Sequence, residues 1–174
     1  LPSSKNPEKE GNTLFKIINL GRNKLLNDSN MVLGTTHFYL FFEKKLTALN
    51  TIENFLRVKK PDLRILGLYL HTLVKTGQLS KASKAFNKIL PLKKKWDYKI
   101  FRYVSEYYEL NQDFKTGQKI LEEGIKNYPK KVSLRLELLK YYLRSGDIKS
   151  FERTLGYIRR LEADKSPYFY SRSE

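Results

Sequence analysis

Three short turns recur along the second half of the chain at almost the same interval: Gly77-Gln78-Leu79, Gln112-Asp113-Phe114 and Gly146-Asp147-Ile148 stand 35 and then 34 residues apart. A period in this range is a strong constraint, because each repeat must be one supersecondary unit that buries its apolar face against the next. Positions that do not set the alignment agree with it. Ala82, Gly117 and Phe151 fall at one equivalent place on the second helix of each unit, where two of the three are small enough for a neighbour to approach closely. One helical turn further, on the same face, stand Phe86, Leu121 and Leu155, all large and apolar as a buried wedge requires. The first helices carry apolar stripes at helical spacing, with Leu70, Leu73 and Val74, then Val104 and Tyr108, then Leu138, Leu139 and Tyr142.

On these residues the segment from Leu63 to about residue 165 resembles the tetratricopeptide family, whose repeat is about 34 residues long. Pro129 occupies the family's closing proline position in the second unit, whereas Pro91 comes early, Pro167 comes late, and Gly67 sits one residue from its usual place. The resemblance implies an all-α fold, a right-handed α-α superhelix of helix-turn-helix repeats with an N-terminal helical cap. The expected organisation is a flexible leader over 1–12, N-terminal helices over 13–62, repeats over 63–97, 98–131 and 132–165, and a tail over 166–174.

Within the N-terminal part, Leu14, Ile17, Ile18 and Leu25 predict a helix from Thr13, weakened by Gly21 and ended by the Asn27-Asp28-Ser29-Asn30 cluster. Further helices are predicted over about 35–49 and 51–58, closed by Lys59-Lys60-Pro61-Asp62. These two would form a fourth, decayed repeat, although no glycine marks its turn. After the last repeat, Tyr168, Phe169 and Tyr170 either cover the exposed edge, or a second copy, a parent domain or another chain does so. The chain starts at Leu1, the pattern of a processed product, so a cytoplasmic location and a cell-envelope or periplasmic one after loss of a signal both stay open.

Cysteine is absent, which removes disulfides, thiolate nucleophiles and cysteine-based metal sites. The apolar runs at 38–42 and 65–70 are far shorter than the roughly 20 residues of a membrane-spanning helix. His37 and His71 are the only histidines, and no phosphate loop, metalloprotease motif or paired carboxylates accompany them. Glu106, Glu109, Glu122 and Glu123 fall on two different predicted helices, so they do not make a metal cluster. Neither catalytic residues, a metal site nor a cofactor is predicted.

The family implies that the first helices line a groove. Carried over by alignment, the partner-binding candidates are Arg64, His71 and Lys75 in the first repeat, Lys99, Arg102, Glu106 and Glu109 in the second, and Lys140 and Arg144 in the third, beside Gly67, Val74, Leu110, Ser133, Leu136 and Leu143. The set leans basic and suits an acidic or extended peptide of another protein. The alternative for these side chains is simply a solvated, lysine-rich face.

A second feature is the basic edge Lys93-Lys94-Lys95 followed by Trp96, with Lys81, Lys84 and Lys88 before it. Its favoured reading is a solvated loop with Trp96 packed at the repeat interface, and its functional reading is contact with anionic lipid or nucleic acid. Net charge is +16, with 15 Lys/Arg against 6 Asp/Glu over residues 63–131. Such an excess draws anionic partners without choosing among them. A protein-interaction scaffold is therefore the leading expectation, a nucleic-acid-binding array the alternative, and an enzyme's accessory domain a third class.

Overall fold

A computed structural model of the chain describes residues 28–163. The leader, the helix expected from Thr13 and the tail with Tyr168, Phe169 and Tyr170 lie outside the described residues, which contain no strand. The chain divides into two compact units, Leu1–Gln78 and Leu79–Glu174. The boundary falls at the turn inside the first sequence repeat, a division of contacts that periodicity does not reveal.

The first unit holds α1 (Ser29–Phe41), α2 (Lys45–Val58) and α3 (Leu63–Lys75). Asp28 caps α1 by accepting from the Met31 N–H at 2.9 Å, and Asp62 caps α3 by accepting from the Ile65 N–H at 2.9 Å. Each satisfies a backbone donor that the first helical turn leaves open. The three helices pack on one another and bury Val32, Tyr39, Leu49, Ile52, Phe55, Ile65 and Leu73.

The turn between α1 and α2 lies at Glu43, not near residue 50 as the sequence suggests, so the predicted helices over 35–49 and 51–58 are corrected to Ser29–Phe41 and Lys45–Val58. The signal was hidden because Glu43, a residue that rarely takes a left-handed backbone, does so here at φ 56°. Its N–H donates to the Leu40 carbonyl at 3.1 Å and the Lys44 N–H to the Tyr39 carbonyl at 2.8 Å. Gly77, Gln112 and Gly146 repeat that geometry at φ 69°, 61° and 71°, each with the same pair of backbone hydrogen bonds. The turns at 43, 77, 112 and 146 are thus spaced by 34, 35 and 34 residues, and the first-helix caps at Asp28, Asp62, Asp97 and Lys131 keep the same spacing.

The second unit holds α4 (Leu79–Ile89), a 3-10 segment (Leu90–Lys95), α5 (Tyr98–Leu110), α6 (Phe114–Asn127), α7 (Val132–Ser145) and α8 (Ile148–Ala163). Helix α5 packs on α6 and α7, α6 on α7, and α7 on α8. The three wedge positions differ in depth. Phe86 is buried with its ring stacked on Tyr107 at 4.8 Å, Leu121 is fully enclosed, and Leu155 is half-buried. Gly117 explains the small residue predicted there, since a Cβ at that position would stand 2.5 Å from the Tyr141 hydroxyl.

Candidate partner-binding surface

In the first unit the three sequence candidates have different surroundings. Arg64 is exposed, 2.8 Å from the Asp62 carboxylate and 3.1 Å from the Asn30 side-chain oxygen. Burial works against the charged form of Asp62, but the Ile65 N–H and the Arg64 guanidinium outweigh it and hold the carboxyl below its ordinary pKa. Lys75 is exposed, whereas His71 is buried and presents little surface to a partner.

In the second unit the adjacent first helices α5 and α7 are joined by polar contacts. The Tyr141 hydroxyl donates to the Ser105 carbonyl at 3.0 Å, and Arg144 pairs with Glu109. The Arg144 guanidinium also lies 5.3 Å from the Phe114 ring. Burial, reinforced by the Glu109 charge, pushes the Tyr141 phenol up to about 12. On α5, Arg102 is half-buried, 5.1 Å over the Tyr103 ring and 4.0 Å from the Glu106 carboxylate. Burial likewise raises Tyr103 to about 12. Glu106 is buried, so this candidate braces α5 more than it faces solvent. Lys99 is exposed, and Lys140 is exposed with Glu137 at 2.6 Å.

Two leucines add what charge alone did not suggest. Leu136 and Leu143 on α7 are 50% and 57% exposed. Together with Lys140 and Arg144 they occupy positions i, i+4, i+7 and i+8, one face of the helix. That spacing was visible in the sequence, and the family resemblance put both leucines among the groove positions, although charge did not single them out. Tyr141, Ser105, Phe114 and Glu137, which hold this face, carry no motif that would have singled them out.

The basic edge folds as the 3-10 segment. Trp96, at its end, is 2% exposed; its indole N–H donates to the Ile89 carbonyl at 3.1 Å and its ring meets Phe101 edge-on at 5.3 Å. The Tyr128 hydroxyl donates to the Trp96 carbonyl at 2.7 Å. Trp96 thus offers neither a membrane anchor nor a free stacking face, which removes the aromatic part of the lipid and nucleic-acid reading. Lys93 bonds Glu123 at 2.6 Å, while Lys94 and Lys95 are exposed.

Among the described residues no group of three or more His, Asp or Glu side chains comes together to hold a metal, and no helix is long and apolar enough to cross a membrane.

These elements define a class: an all-α protein of the helical-repeat kind. No protein-family model and no curated protein sequence matches the chain. Among solved structures it is similar to MamA from Desulfovibrio magneticus RS-1, residues 41 to the end, with a TM-score of 0.64 and 12% identity over 84% of this chain and 81% of that one. A double mutant, MamA RS-1 ArsTM, gives 0.64 and 12% over 90% and 88%, and MamA AMB-1 gives 0.53 and 10% over 77% and 78%. At such identities the likeness is one of fold, and the shared fold is an all-α helical repeat.

Proposed function

We propose that this chain is a non-catalytic scaffold that holds a partner protein on the α5–α7 face of its second unit. The observation that carries the reading is the exposed pair Leu136 and Leu143 flanked by Lys140 and Arg144. Leucines seven residues apart on a helix are separated by about 10 Å along its axis, which suits two apolar anchors of one peptide. The cations beside them favour carboxylates between or around those anchors. The Arg144–Glu109 pair and the Tyr141–Ser105 hydrogen bond hold the two helices in place before a partner arrives, lowering the ordering cost of binding.

Crosslinking and affinity capture of the full-length native protein, beside the double variant Leu136→Asp, Leu143→Asp, tests this. The reading predicts a defined partner at physiological salt that the double variant loses while keeping its helical content. A partner recovered equally well by both proteins would contradict it. The +16 charge motivates a second reading, binding of nucleic acid. In that case affinity would fall steeply with salt and depend little on the two leucines.

A further inference from the structure

Below the 3-10 segment lies a concavity of about 830 Å³, within the size range of about 300–1,000 Å³ typical of ligand sites. It shares no residue with the α5–α7 face. It is lined by Lys93, Lys94, Lys95 and Trp96 of the basic edge and by Glu123, Asn127 and Tyr128 at the end of α6. Pro91 and Leu92 add an apolar rim, Leu92 being 37% exposed.

We propose that this concavity is a second binding site, for a short acidic peptide segment of a partner protein that carries an apolar side chain beside its carboxylates. Three ammonium groups against one carboxylate leave an excess of positive charge in the site. Glu123 shows that a carboxylate fits the geometry: it reaches Lys93 at 2.6 Å, and Lys93 lies 5.9 Å over the Trp96 ring. Glu123 therefore acts as an internal stand-in that an incoming acidic side chain displaces or joins at Lys94 and Lys95. Pro91 and Leu92 receive the apolar side chain.

A nucleic acid fits less well. Its bases would find Trp96 already enclosed, and its phosphates would face Glu123. A lipid surface fits less well because Lys93 is already engaged by Glu123 and the enclosed Trp96 offers no apolar anchor.

The site contains its own reporter, because Trp96 is the single tryptophan of the chain. The test titrates the full chain into a fluorescein-labelled peptide of alternating Glu and Leu, reading anisotropy for binding and tryptophan emission for location, at physiological salt. The proposal predicts a saturable change in Trp96 emission that fits one peptide at this site, whatever further peptide the anisotropy counts at the α5–α7 face. It further predicts at least a tenfold loss of affinity in Lys94→Ala, Lys95→Ala, whose two exposed side chains leave the fold intact by circular dichroism. Glu123→Gln, which removes the internal competitor, should bind several-fold tighter by the Trp96 signal, and Leu136→Asp, Leu143→Asp, which removes any binding of the same peptide at the α5–α7 face, should leave the Trp96 titration as in the parent. Absence of saturable binding, equal affinity in the lysine double variant, or tighter binding of phosphatidylserine vesicles or single-stranded DNA than of the peptide would each overturn it. Since the α7 leucine variant is predicted to be silent here, failure of this site and failure of the α5–α7 reading remain distinguishable.

Discussion

Helices α6 and α8 are second helices of consecutive pairs, begin in the same way and sit in different surroundings. Asp113 accepts from the Thr116 N–H at 3.1 Å and Asp147 from the Ser150 N–H at 3.0 Å, and a left-handed residue precedes each cap. Yet α6 is enclosed by α5 and α7 and buries Gly117, Ile120, Leu121 and Gly124, whereas α8 packs chiefly on α7 and buries Ile158. Repeat period decides which side of a helix faces inward. How deeply that side is buried depends on the number of neighbours, which period does not encode.

The wedge residues give the largest expected contrast. Leu121→Ala, at a site with no exposed surface, should cost about 3 kcal/mol, and the half-buried Leu155→Ala about 1 kcal/mol, by chemical denaturation. Equal costs would mean that the two environments are alike and would break the comparison.

Glycines sharpen it by sign. A Cβ at Gly124 would stand 2.9 Å from Phe101 Cβ and 3.2 Å from Leu134, so Gly124→Ala should destabilise by about 1–2 kcal/mol. At Gly156 in α8 nothing lies within 4 Å, and Gly156→Ala should stabilise by about 0.5–1 kcal/mol through helix propensity alone. Thermal melts of the two variants should move in opposite directions.

The turns before the two helices extend the contrast. Gln112 takes at φ 61° the conformation that Gly146 takes freely at φ 71°. Gln112→Gly should therefore gain up to about 1 kcal/mol, while Gly146→Ala loses about 1 kcal/mol.

The smallest effect at neutral pH belongs to the tyrosines. Tyr103 and Tyr141 on α5 and α7 are raised by burial to about 12 from 10. A phenol whose pKa is higher in the folded state keeps its full contribution below pH 10 and loses it as pH climbs from 10 toward 12. Ultraviolet titration should show late-ionising tyrosines and stability declining over that window, with no change between pH 6 and 9 from this source.

Much of the fold was legible because the turns at Gly77, Gln112 and Gly146 recur with their flanking apolar positions, and the structure gives all three the same left-handed conformation. The turn at Glu43 was not legible, since its residue type argues against the backbone it adopts. Of the candidate surface, alignment to the family's groove positions put Lys140, Arg144, Leu136 and Leu143 in one set with His71 and Glu106, and only tertiary packing could bury the last two. The fate of Trp96 turned on the Ile89 carbonyl and the Phe101 ring, partners that adjacency in sequence does not specify.

Backbone NMR on the full chain bears most directly on the four-turn periodicity. Chemical shifts and amide-to-Hα couplings report φ at Glu43, Gly77, Gln112 and Gly146 independently of one another. The account predicts a positive φ at all four, each preceded and followed by helix. A negative φ at Glu43 or Gln112, or strand-like shifts anywhere from residue 28 to 163, would contradict it.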